Sequence, residues 1–362
     1  MRPKAFVLVA ASLFASSLSG VPAQAKSSPA ALARQMDAFL TQVSRNHLSV
    51  DFRGAVLVSL QGRILLSKGY GLAGPASTTR TKNSASTEFP IGSITEEFTA
   101  AAILQLRDEG KLKLQAHACA YLSGCPVAWR QITVAELLDH TSGLHNYLDM
   151  PLNFSGRTTP QALLRRIGAH PLDSRPGRSF NYSDSDYVVL GQIVSRVSGL
   201  PYKVYVRARI VARLGLAHTG FATDRPPAPP IFAAGTSAFG QAPRRDASWG
   251  FSAGGMYSTV GDLLAWNRAL FGGRVVSRAS LALLISRHAA TGEGFDYGFG
   301  LFVGTTFGRR VVFHDSQIPG FFSDDTRYPG AQLDVIVLGN NDQSTVDAIS
   351  DSLAGMVFSA AA

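Results

Sequence analysis

Strand-like runs at both ends of the chain, with helix-like periodicity between them, constrain the fold more than any other feature. Gly54 to Leu60 and Arg63 to Gly69 are apolar, β-branched runs split by Gln61-Gly62, which is the pattern of a hairpin. Near the other end, Arg309 to His314, Phe321 to Tyr328 and Gln332 to Leu338 read as strands, with a turn at Pro329-Gly330. From Ser93 the period changes: Phe98, Ala101, Ala102, Gln105 and Leu106 recur at threes and fours until Gly110 stops the pattern. Thr133 to His140, Pro160 to Gly168, Ser185 to Ser198, Tyr202 to Leu214 and Thr259 to Leu270 continue helix-like, and a closing helix starts near Thr345. The fold class is therefore α/β, with one antiparallel sheet formed from both termini, flanking helices and an inserted, mainly helical lobe. The α/β lobe takes in about 36–90 and 235–358 and the helical lobe about 91–234, with the proline-rich stretch Arg225 to Pro230 read as surface linker.

The chain has material for a large core: 46% of its 362 residues are hydrophobic and 16% charged, which excludes disorder and coiled coil. Met1-Arg2-Pro3-Lys4, the apolar stretch to about Phe14 and the small residues ending Ala23-Gln24-Ala25 read as a secretory signal peptide, residues 1–25. An uncut membrane anchor is the other reading of the same stretch. Beyond it no apolar run is long enough for a membrane span. The chain is expected to be exported, periplasmic or secreted, after cleavage near Ala25. Removing Arg2 and Lys4 leaves 32 basic against 25 acidic side chains, and no basic run exceeds a pair such as Arg165-Arg166, so a nucleic-acid partner is not expected. Cys119 and Cys125 are the only cysteines, and an oxidising compartment favours a local disulfide between them. His117 beside them raises a zinc site, for which no fourth ligand stands nearby, and no cofactor is expected.

Several ordered blocks carry a resemblance. They are Phe89-Pro90-Ile91-Gly92-Ser93 leading into Phe98-Thr99-Ala100-Ala101-Ala102, Leu137-Leu138-Asp139-His140-Thr141-Ser142-Gly143-Leu144, Phe180-Asn181-Tyr182-Ser183-Asp184, Ser252-Ala253-Gly254-Gly255 and Ile318-Pro319-Gly320-Phe321. From about Met36 to Met356 the chain resembles the penicillin-recognising serine hydrolases, especially class C β-lactamases and the related esterases and DD-peptidases. The resemblance implies a β-lactamase/transpeptidase-like fold and small-molecule ester, amide or cell-wall peptide ligands. It also implies three motifs, and all three are altered here. Ser-x-x-Lys, a nucleophile with its proton-managing lysine one turn on, reads Ser93-Ile94-Thr95-Glu96. Tyr-x-Asn reads Tyr182-Ser183-Asp184, and Lys-Thr-Gly or His-x-Gly reads His314-Asp315-Ser316. Ser93, Tyr182 and Glu96 are thus the candidate catalytic residues, and Asp184, His314, Ser316 and Gln317 the candidate substrate-binding ones.

Spacing alone offers another account of Ser93 and Glu96, because Ser-x-x-Glu at a helix start is also a capping box. Read as a site, the changes bring acids together: two like charges about 6 Å apart at an effective dielectric near 20 repel by roughly 3 kcal/mol. Only His314 is expected to offset them. Tyr182 should then remain a neutral phenol, and a β-lactam, itself a carboxylate, should be repelled. His140 reads as a helix-end cap, Asp324 and Asp325 as a solvated strand end, and Trp249, Phe251 and Tyr257 as core. Three functions follow: a silent or weak family member that binds a cell-envelope ligand, an active serine esterase or peptidase using Glu96 or Tyr182 as base, or a divalent-cation site built from Glu96, Asp184, Asp315 and His314.

Overall fold

The computed structural model describes residues 28–45, 52–77, 79–151, 153–224, 231–237, 240–243 and 245–361. The expected signal peptide and the proline-rich segment 225–230 lie outside them. The central sheet has eight strands. Their spatial order is Arg63–Tyr70, Gly54–Leu60, Leu333–Gly339, Phe321–Tyr328, Arg309–Ile318, Phe302–Thr306, Asp296–Tyr297 and Ala289–Ala290. Every neighbouring pair is antiparallel, and the first and last thirds of the chain meet where Leu57 pairs with Ile336.

Alternation along Gly54–Leu60 explains the layers. Val56 and Val58 face Leu32, Met36 and Leu40 of the helix Pro29–Val43 and Ile349 and Leu353 of the helix Val346–Ala361. Ala55 and Leu57 face the opposite way, into the core shared with Phe98, Ile103 and Trp266. A strand buried on both faces must lie between two helical layers, and each fully buried valine or leucine there contributes roughly 1.5–3 kcal/mol. The helix Pro29–Val43 was not expected from the sequence; Ser28 caps it and Pro29 starts it.

The helix Thr95–Asp108 lies on the inner face and is buried almost all round. Ala100, Ala101 and Ala102 keep its surface thin, so other helices approach closely, among them Asp184–Ser198. The expected helices Pro160–Gly168 and Asp184–Ser198 form as read, and Tyr202 to Leu214 forms with a π-helical turn at Arg207–Val211.

Two expectations on the sheet are corrected. The strand expected to end at His314 runs on to Ile318, because Gly320 at φ +82° turns the chain and Ile318 pairs with Phe321. Pairing thus carries Asp315, Ser316 and Gln317 into the sheet despite their polarity. Asp324 and Asp325 are not solvated: they sit on the central strand Phe321–Tyr328, at 0% and 3% exposure, with Asn267 donating to Asp325 at 2.7 Å. Trp249, Phe251 and Tyr257 are buried as expected. Cys119 and Cys125 are joined as a disulfide with Cα atoms 5.4 Å apart, which removes the thiolates that zinc would need.

Candidate active site

Ser93 lies in a 3₁₀ turn, Gly92–Ile94, that runs directly into the helix Thr95–Asp108. It opens on a cleft of about 1480 Å³ lined also by Tyr182, Asp184, Asp315, Ser316 and Gln317, with Arg157 and Arg245 on its wall. No lysine is among the residues that line this cleft. One turn beyond Ser93, Glu96 points inward and is fully buried.

The capping-box expectation for Ser93 and Glu96 is corrected here. No side chain caps this helix start, because the Glu96 carboxylate is turned away from the backbone and into a polar cluster. Tyr182 donates to its Oε1 at 3.0 Å, and Tyr297 donates to Oε2 at 2.9 Å. His140 Nε2 stands 3.3 Å and His314 Nε2 3.4 Å from that same Oε2. His140 Nδ1 in turn meets Asp186 at 3.0 Å, and Ser142 donates to the other Asp186 oxygen.

His140 is therefore not a helix-end cap. Its backbone adopts φ +58°, a left-handed conformation that non-glycine residues seldom take, and this turns the imidazole under the cleft. The expectation that only His314 offsets the gathered acids is corrected by the same geometry, because His140 joins it, while the repulsion between Glu96 and Asp184 remains. Burial would raise the Glu96 carboxyl, but His140 and then His314 outweigh it and hold it below the ordinary glutamate range. Burial would lower His140, but Glu96 and Asp186 outweigh it and push the imidazole up to about 9. His314 is also raised, by Glu96 and Asp315 acting against burial. Glu96 is thus an anion facing at least one imidazolium at neutral pH.

Tyr182 stands between this cluster and Ser93 in the cleft wall. Burial, then the charges of Glu96 and Asp184, raise its phenol well above 10, with Ser93 pulling the other way. It is a neutral phenol, as the sequence led one to expect. Asp184 faces the cleft and accepts from Asn146 at 3.3 Å, while burial and the Glu96 charge push it up to about 7. Asp186 rises to about 6, chiefly through burial. His314 is fully buried beneath the cleft and touches Glu96 and Tyr297, so of the four residues expected to bind substrate only Asp184, Ser316 and Gln317 face the open space.

Sequence reasoning missed Tyr297, Asp186 and Asn146. Asp186 had the ordinary look of an acid in a first helical turn, where it favours the helix dipole. Tyr297, in Gly294-Phe295-Asp296-Tyr297-Gly298, carried no signal. Among the described residues no group of three or more acidic, histidine or cysteine side chains has the geometry to hold a metal ion, which removes the cation-site reading.

The model of the Beta-lactamase family matches residues 32–356. The putative penicillin-binding protein PbpX of Bacillus subtilis (strain 168) is 29% identical over 265 residues, which is 72% of this chain. The chain spans 65% of that relative, under two thirds of its length. Among solved structures, the octameric penicillin-binding protein homologue from Pyrococcus abyssi superposes with a TM-score of 0.79 at 23% identity, covering 90% of this chain and 77% of that one. The D-stereospecific amidohydrolase from Streptomyces sp. superposes with a TM-score of 0.75 at 26% identity, covering 89% and 97%.

Proposed function

This chain belongs to the beta-lactamase family, and on that premise we propose that it is an exported protein whose serine-hydrolase cleft binds amide or cell-wall peptide ligands and turns them over slowly or not at all. One observation carries the reading: the group one turn past Ser93 is a carboxylate whose oxygens are taken up by Tyr182, Tyr297, His140 and His314. An acid held below its ordinary range is a poor acceptor for a serine proton, and loss of a matched general base typically costs 10²–10⁴ in rate. The amine that would take that proton in the family's Ser-x-x-Lys pattern has no counterpart among the cleft-lining residues.

The ligand class follows from the cleft wall. Asp184 and Asp315 line the cleft with Ser93, and burial with the Glu96 charge raises Asp184 despite His140 and Arg245, so that it favours a proton or a further cation. A ligand with a free amine near its amide would satisfy it, and a β-lactam carboxylate would not. Relatives in the same fold include a D-stereospecific amidohydrolase, which supports an amide-bearing ligand. The A-x-A site ending at Ala25 and the Cys119–Cys125 disulfide support export.

A second reading is favoured by one specific contact. Tyr182 donates to Glu96 at 3.0 Å and lines the same cleft as Ser93, so a serine proton passed to the phenol could be matched by the phenol giving its own to Glu96. This is the active esterase or peptidase with Glu96 or Tyr182 as base. Intact mass after incubation with a fluorescent penicillin and with a nitrophenyl ester separates the readings. The native protein is expected to carry no stoichiometric adduct and Glu96→Lys to acquire one on Ser93. Serine-dependent turnover by the native protein at pH 7 establishes the second reading instead.

A further inference from the structure

The Ser93 amide that faces the cleft already has an acceptor. Ser93 N–H donates to Ser316 Oγ at 2.9 Å, joining the nucleophile's turn to the strand Arg309–Ile318. Ser316 is buried on that strand, at 5% exposure. The fit is also steric: a Cβ on Gly92 would lie 1.9 Å from Ser316 Oγ, and Gly92 itself sits at φ +46°. The hydroxyl therefore fills a space that only glycine at 92 leaves open.

Acyl transfer to a serine passes through a tetrahedral centre whose oxyanion needs fixed donors, and the nucleophile's own N–H at a helix start is suited to that task. We propose that Ser316 is an internal plug of the oxyanion pocket: its hydroxyl occupies the Ser93 amide, so reaction at Ser93 must first move this side chain aside. The proposal rests on the cleft being of serine-hydrolase type, as argued above, but it is separable from the missing base. A lysine restored at the turn beyond Ser93 leaves the plug in place.

The test uses Ser316→Ala and Ser316→Gly, each alone and combined with Glu96→Lys, with Ser93→Ala as control. Each protein is treated with an alkyl fluorophosphonate and followed by intact mass. In this labelling Ser93 Oγ forms the bond to phosphorus, fluoride leaves with the P–F electron pair, and the serine proton passes to buffer. Since one oxyanion donor is worth roughly 10²–10³ in rate, unplugging is expected to speed labelling at least about tenfold over the parent with the same residue at position 96. Hydrogen exchange of the peptide containing Ser93 is expected to quicken in both Ser316 variants, with melting curves confirming that they fold.

Equal or slower labelling in both backgrounds, no labelling in any protein, or unchanged exchange overturns the plug. If Glu96→Lys alone labels fast and the Ser316 changes add nothing, the plug fails while the base reading stands. If the Ser316 changes alone give fast labelling with Glu96 in place, the plug stands and the base reading falls.

Discussion

Glu96 lies wholly buried with two histidines against its carboxylate, so the site's stability depends on that charge staying compensated. Removing one partner of a buried ion pair strands the other charge, typically at a cost of 3–5 kcal/mol. His140→Ala is expected to lose about that much in chemical denaturation, and Glu96→Gln added to it to recover part of the loss by removing the stranded anion. Additive losses from the two changes would show that the pair is not coupled. A second Thr/Ser-x-x-Glu pattern shows why local reading failed at this residue. At Thr133, Glu136 does close a capping box, receiving the Thr133 amide at 2.7 Å while its own amide donates to Thr133 at 3.2 Å. Glu136 had only its own helix end to bind, whereas Glu96 had His140, Tyr182, Tyr297 and His314 brought to it from four other parts of the chain.

The pairing of helix Thr95–Asp108 with the sheet buries more acid than the Glu96 cluster alone. Glu97 accepts from Trp266 at 2.9 Å, and burial pushes its carboxyl up to about 7. On the neighbouring strand, burial first and then the Glu97 charge raise Asp325 well above the ordinary aspartate range. A raised carboxyl pKa means the folded state holds its proton more tightly than the unfolded one. The stabilisation from Glu97 is therefore full below about pH 4.5 and lost as pH climbs through about 7. Urea midpoints measured from pH 4.5 to 8 are expected to fall with rising pH, and Glu97→Gln, which stays neutral, to flatten the decline. Some slope remains, because Asp184 and Asp186 are raised in the same direction. An unchanged slope in Glu97→Gln would show that this glutamate titrates as it does unfolded.

At the scale of the whole molecule, the disulfide Cys119–Cys125 closes a short loop in the segment that follows the helix Thr95–Asp108, and both cysteines pack against the larger core. Closing so short a loop stabilises by about 2 kcal/mol in the chain-entropy model. Replacing both cysteines by serine is expected to lower global stability by about that amount and to leave fluorophosphonate labelling of Ser93 unchanged. A change in labelling would instead show that this loop supports the cleft. No described helix is long and apolar enough to cross a membrane.

The α/β class, the hairpin at Gly54 and the sheet drawn from both termini were legible in the sequence alone. They rest on signals local to a few residues, period two against period 3.6 and turn glycines and prolines, whereas Ser93, Tyr182 and Glu96 were singled out by the family resemblance. What Glu96 does, that His140 lies beneath the cleft, that Tyr297, Asp186 and Asn146 join it, and that Ser316 covers the Ser93 amide were decided by the tertiary structure. Each depends on contacts between elements far apart in the chain. A carboxylate's protonation and a hydroxyl's partner are set by what packing brings within 3–4 Å, which no window of sequence contains.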